Sequence, residues 1–135
     1  MRGKTAIALA KLAYQRYRDL FQRTSFSDLR RQGARPQYLL WASTGTKNPA
    51  YSDVLYLESL IGPETINTVP DITLAAFRDH GQARATLEEG VDTAKAHVLA
   101  LEKLGIDLHT VGETLQRQGV EQFDTAYTKL LDLMK

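Results

Sequence analysis

Ser43-Thr44-Gly45-Thr46-Lys47-Asn48 gathers three hydroxyls, a glycine and a lysine into one short run. Such a set can hold an anion. Hydroxyls and a lysine ammonium give charge-assisted hydrogen bonds to phosphate oxygens, and glycine lets backbone N–H groups come close. The same residues also suit an ordinary polar loop whose hydroxyls cap the next helix. Taken alone, they leave both readings open. Lys47 is in addition a candidate Schiff-base former, since an unprotonated amine attacks a carbonyl. A loop lysine among hydroxyls is poorly desolvated, which favours phosphate contact or plain exposure over nucleophilic attack.

Other chemistry is sparse. His80, His97 and His109 are expected on separate elements, without the spacing of metal ligands, and read as structural. His80 is expected at a helix C-terminus before Gly81, where a cation interacts favourably with the dipole. The absence of cysteine excludes disulfides, thiolate zinc sites and a cysteine nucleophile. Seventeen Lys and Arg against sixteen Asp and Glu leave a net charge of +1, which gives no electrostatic case for nucleic acid. Arg16, Arg18, Arg23, Arg30, Arg31 and Arg35 crowd the first third and read as a solvated helix face followed by a polar loop. Tyr38 and Trp41 read as core aromatics rather than stacking platforms. No apolar run reaches the ~20 residues of a membrane span, and no signal peptide opens the chain, so a cytoplasmic setting is expected.

The elements that must position the loop follow from periodicity. Thr5 to Gln22 reads as a helix, with Leu9, Leu12, Ala13, Tyr17 and Leu20 as its apolar stripe. Residues 23–36 read as a connection. Gln37 to Ala42, bounded by Pro36 and Ser43, reads as a buried parallel strand. Ser52 is the expected N-cap of a helix through about Leu60, ended by Gly62. Thr65 to Val69 reads as a second strand, and Pro70-Asp71 opens a helix that stops near Gly81. Strand, loop and helix therefore occur twice in succession, the pattern of βα units on a parallel sheet.

Helices are expected throughout the remainder. Thr86 with Glu89 and Thr110 with Glu113 each form the spacing of a capping box. Gly105 is expected to end the first of these helices and Gly119 the second. A terminal helix then carries Val120, Phe123, Tyr127, Leu130, Leu131 and Met134 as its stripe. Two parallel strands alone would present open edges, which proteins normally cover or pair. A closed (β/α)8 barrel takes about 250 residues, and this chain has 135. The expected fold is thus α/β: the last two strand–helix units of a TIM-type barrel, with additional C-terminal helices, as one domain over residues 1–135. Met1 is expected inside a formed helix, which suits an interrupted reading frame. A complete small α/β or mostly helical protein is the alternative.

The wording of the chain adds a resemblance. Leu39 to Val54, followed by Leu55-Tyr56-Leu57-Glu58-Ser59-Leu60-Ile61-Gly62-Pro63-Glu64-Thr65-Ile66-Asn67-Thr68-Val69-Pro70, resembles the seventh and eighth βα units of bacterial transaldolases. Thr73 to Gly81 continues the likeness, and Arg2 to Tyr14 looks like the helix after the sixth strand. The resemblance implies a cofactor-free enzyme of the pentose phosphate pathway. It moves a dihydroxyacetone unit from sedoheptulose 7-phosphate to glyceraldehyde 3-phosphate through a lysine Schiff base on the fourth strand. That lysine and the proton-transferring carboxylates are expected upstream of this chain, leaving no catalytic residue within it.

By the same resemblance, Ser43 matches the serine that contacts substrate phosphate. Lys47 stands where many members place an arginine. Thr44, Thr46, Asn67 and Thr68 are possible pocket-lining residues, and no metal is implied. A phosphate arginine that the family supplies from its sixth strand has no counterpart identified here. The expected partners are a sugar phosphate and, for the open sheet, the missing barrel half or another copy of the chain. The alternative is a catalytically inactive fragment that binds phosphate or self-associates.

Overall fold

Strong helix formers such as Ala, Leu and Lys dominate α1 (Thr5–Phe21). The computed structural model, which describes residues 3–134, divides into two compact units, Met1–Val98 and Leu99–Lys135. The expectation for Met1 lies outside the described residues, as does the Arg2 end of the family-like segment. In the first unit α1 is followed by a 3-10 turn (Thr24–Phe26) and α2 (Ser27–Arg31). Next come β1 (Leu39–Trp41), α3 (Leu55–Ser59), β2 (Thr65–Asn67), α4 (Asp71–His80) and the start of α5 (Val91–Lys103). The second unit holds α6 (Leu108–Asp132). Among the described residues no helix is long and apolar enough to cross a membrane.

The two strands pair in parallel, with Leu39 opposite Thr65, Leu40 opposite Ile66 and Trp41 opposite Asn67. Backbone pairing continues one step beyond the strands, because the Thr68 N–H donates to the Trp41 carbonyl at 3.0 Å. The chain is thus mixed α/β, with βα order as the turn signals indicated. Both strands are shorter than expected, and they are not buried on both sides. Alternation sends Leu39 and Trp41 toward the core, while Leu40 and Ile66 on the other face stay about half exposed, at 50% and 49%.

The core cluster consists of Tyr14, Tyr17, Leu60 and Leu87, with Ile7, Ala10, Phe21, Leu39 and Trp41 packed against it. This corrects the stripe expected for α1. Leu9 and Leu20 are exposed, whereas Ala8, Tyr14 and Tyr17 are buried. Tyrosine wins that face because its ring fills the core while its hydroxyl reaches a partner at the rim. Tyr14 donates to the Pro63 carbonyl and Tyr17 to the Glu64 carboxylate. Burial and the Glu64 hydrogen bond push the Tyr17 phenol up to about 12. Gly62 is needed at this level, since a Cβ there would lie 2.7 Å from the Leu87 side chain.

Further expectations are corrected. Residues 23–36 are no plain connection: the 3-10 turn buries Phe26 edge-on against Phe21 at 5.0 Å, and Arg30 lies 5.6 Å above the Phe26 ring. Thr86 and Glu89 form no capping box. The Thr86 hydroxyl donates to the Glu58 carbonyl and accepts from the Ile61 N–H, satisfying groups that the end of five-residue α3 leaves open. Helix α5 consequently starts only at Val91, after Gly90 at φ +64. In the second unit, Asp107 rather than Thr110 is the cap, accepting from the N–H groups of His109 and Thr110. Gly119 does not end that helix. It and Gly112 meet nothing within 4 Å and cost only about 1 kcal/mol each inside a long helix. The apolar stripe of α6 is exposed, with Phe123 at 82%.

Candidate functional site

The polar run predicted from sequence leaves the C-terminal end of β1, the end at which ligand sites of parallel α/β proteins lie. Ser43 comes two residues after the strand and adopts φ 57, the left-handed region that non-glycine residues seldom enter. Thr44 is buried, and its hydroxyl donates to Oδ1 of Asn67 at 2.8 Å. Gly45 passes close to the start of α4: a Cβ there would lie 3.3 Å from both Pro70 Cγ and Thr73 Oγ1. Asn48 closes the loop on itself, its Oδ1 accepting from the Ala50 N–H at 2.9 Å.

Two clefts flank this loop, and Ser43, Gly45, Thr46 and Lys47 line both. The larger, about 630 Å³, is completed by Trp41, Tyr51 and Tyr56 among others. The smaller, about 390 Å³, is completed by Asp53, Ile72 and Thr73 among others. Ser43 and Lys47 are exposed. Three polar atoms nearby are buried without a hydrogen-bond partner among the described residues: Thr46 Oγ1, Trp41 Nε1 and Asn67 Nδ2. The arrangement offers the exposed Ser43 hydroxyl and Lys47 side chain at an open cavity, which is donor chemistry suited to an oxyanion.

The helix-capping reading of the loop hydroxyls finds no support in the geometry. Helix α3 is capped at Val54 with no side-chain hydrogen bond, and Thr44 turns to Asn67 instead. Ser52, the expected N-cap, accepts from the Val54 N–H at 3.3 Å and lies two residues ahead of the observed cap position. Of the residues singled out from sequence, Ser43, Thr44, Thr46 and Lys47 come together on the cleft walls. Asn67 stands behind the loop, and Thr68 donates to the Trp41 carbonyl; neither lines these two clefts. Tyr51, Asp53, Tyr56 and Thr73 were not foreseen, because nothing local distinguishes them from other polar helix and loop residues. Trp41 was read as core, and it does pack there. Its place at the strand's last position is the signal that it also borders the larger cleft.

The histidines make contacts both within and between elements. His80 bridges Asp53 at 3.0 Å and Asp79 at 3.1 Å. The hydrogen bond with Asp53 raises the His80 pKa, and in return His80 lowers that of Asp53. His97 Nε2 meets the Thr5 hydroxyl at 2.9 Å, and His109 lies 3.3 Å from Glu113. Lys11 sits apart from the loop, donating to the carbonyls of Thr86 and Glu89; burial holds its pKa below the usual lysine value.

Known proteins resemble this chain along nearly its whole length. A family model described as Transaldolase/Fructose-6-phosphate aldolase matches residues 1–134. A transaldolase of Thiobacillus denitrificans is 57% identical over 131 residues, covering 97% of this chain and 36% of that protein. A transaldolase of Neisseria gonorrhoeae is 55% identical over 131 residues, covering 97% of this chain and 37% of that protein. One from Frankia alni is 45% identical over 132 residues, covering 97% and 36% respectively. The chain spans little more than a third of the length of these curated relatives.

Proposed function

The chain belongs to the transaldolase/fructose-6-phosphate aldolase family, and from that premise we propose that it supplies the phosphate-holding corner of a sugar-phosphate transferase. In this reading β1 and β2 are the seventh and eighth strands of a (β/α)8 barrel. The reaction moves a dihydroxyacetone unit from sedoheptulose 7-phosphate to glyceraldehyde 3-phosphate in the cytoplasm. The Schiff-base lysine and its proton-transfer partners belong to strands other than these two. Ser43 and Lys47 bind the substrate phosphate. Thr44 and Thr46 shape the pocket around it.

One observation carries this reading: the Ser43–Lys47 run leaves the C-terminal end of a parallel strand and lines both clefts beside it. Exposed Lys47 has the reach and charge for a phosphate. Borohydride reduction in the presence of fructose 6-phosphate tests the division of labour. The expected result is no covalent adduct on this chain, and an adduct on Lys47 would overturn it. A second reading, self-association through the sheet, draws on half-exposed Tyr38, Leu40 and Ile66. Sedimentation of the chain decides it, a stable monomer counting against.

A further inference from the structure

Ser43 holds a backbone conformation that its own side chain disfavours, so something on either side must hold it there. On the N-terminal side the restraint is β1 itself, whose last residue, Trp41, pairs with Asn67 and accepts from the Thr68 N–H. On the C-terminal side the restraint is Thr44. Its side chain is buried at 3% exposure, and its hydroxyl reaches 23 residues along the chain to Oδ1 of Asn67. Asn67 thus grips both limbs of the loop: its backbone is in register with Trp41, and its side chain holds Thr44. The amide has no competing partner, since its Nδ2 is unpaired among the described residues. Beyond Thr44 the backbone is further confined at Gly45 by Pro70 and Thr73.

We infer that Asn67, acting through the Thr44 hydroxyl, is a positioning residue that holds Ser43 in its left-handed turn and so sets the loop against the phosphate. This rests on the phosphate reading above and assigns Thr44 and Asn67 a role other than contact with the ligand. Losing the bond frees the loop from the end of β2. Ser43 then relaxes toward ordinary backbone angles, and the residues after it shift against the clefts they line.

The test uses the 135-residue chain and three variants: Thr44→Val, Asn67→Ala and the hydroxyl-keeping Thr44→Ser. Without ligand, the amide-to-Hα coupling of Ser43 reports its φ, and hydrogen exchange at residues 43–47 reports loop order. Thr44→Val and Asn67→Ala are expected to change the coupling and speed exchange about tenfold, with α1 amides unaltered, while Thr44→Ser matches wild type. Titration with inorganic phosphate then follows the same amides, and binding should weaken severalfold in the first two variants only. Wild-type coupling and exchange in both Thr44→Val and Asn67→Ala would overturn the positioning role, as would a Thr44→Ser chain that behaves like Thr44→Val. Should Thr44→Val also disturb α1, Asn67→Ala, which leaves the buried Thr44 side chain in place, decides. A wild-type loop that ignores phosphate removes the phosphate reading alone, because the ligand-free coupling still decides positioning.

Discussion

Each end of the short sheet carries a non-glycine residue in the left-handed region, and both have φ 57: Glu64 just before β2 and Ser43 just after β1. The surroundings of the two differ. Glu64 lies where α1 meets the sheet, and its carboxylate accepts from Tyr17 at 3.0 Å and Gln22 at 2.6 Å. Those two donors hold its pKa below the ordinary glutamate value. Beneath it Tyr14, Tyr17, Leu60 and Leu87 are closely packed. Ser43 is exposed between two clefts, with unpaired Thr46 Oγ1 and Trp41 Nε1 close by in sequence, and one side-chain hydrogen bond secures the residue after it. The same backbone strain is absorbed by packing at one end and left beside buried polar atoms without partners among the described residues at the other. Strain kept next to unsatisfied polar groups marks the end at which binding is expected.

Leu87→Ala strikes the packed end and should have the largest effect. It removes a side chain that is 1% exposed against Tyr14 and Tyr17, and a loss of about 3 kcal/mol is expected in urea unfolding. A loss under about 1 kcal/mol would mean the core is looser than its burial implies.

Paired glycine substitutions compare the two left-handed residues directly. At Glu64, glycine relieves the strain but abolishes the bonds from Tyr17 and Gln22, for a net loss of about 2 kcal/mol. At Ser43 the relief of about 1 kcal/mol is offset by the greater chain entropy of glycine, so stability should stay within about 0.5 kcal/mol of wild type. Equal losses at both sites would erase the distinction between the ends. The Glu64 contribution also has a sign in pH. Its lowered folded pKa stabilises the chain above the unfolded value and is lost as pH falls through the folded one, so the wild-type advantage over Glu64→Gly should shrink on acidification.

Lys47→Ala probes the open end alone. Inorganic phosphate affinity, followed by amide shifts, should fall about tenfold, equivalent to 1.4 kcal/mol, while unfolding stays within about 0.5 kcal/mol of wild type. Unchanged affinity would leave Lys47 a solvent-facing charge with no part in the site.

The smallest effect concerns His80, whose partner Asp53 lines the second cleft. Its raised pKa makes the contact favourable below the unfolded histidine value, and the contribution is lost as pH rises through the folded one. Asp53 sets the acid limit, because its lowered pKa means the contact weakens as pH falls through that value. The His80 ring should therefore titrate above 6.5 in wild type, and the midpoint should drop in Asp53→Asn. An unmoved midpoint would show that the bridge does not form in solution.

Much of the fold was legible because its signals are local. Pro36, Ser43 and Gly62 bracket short apolar or helical runs, and Pro70-Asp71 opens α4 where proline is preorganised for a first turn. The donor chemistry of Ser43, Thr46 and Lys47 is likewise written in consecutive residues, as is the wording that marks the family. Local signals failed where a side chain had two possible uses. Thr86 had a capping spacing, but its hydroxyl is consumed by Glu58 and Ile61, more than twenty residues earlier. In α1, Leu9 and Tyr14 both fit helical stripes, and only the positions of Leu60 and Leu87 choose the tyrosine face.

The loop divides in the same way. By itself the sequence determined that a phosphate-suited set of donors follows a strand, since residue type and turn propensity need no distant partner. Tertiary structure alone decided that Ser43 turns left-handed and that the Thr44 hydroxyl is held by Asn67. Those two facts depend on the parallel register that brings Trp41 beside Asn67, a contact between segments 26 residues apart in the chain. No short-range pattern encodes such a contact, because it forms only when the rest of the core has placed both strands.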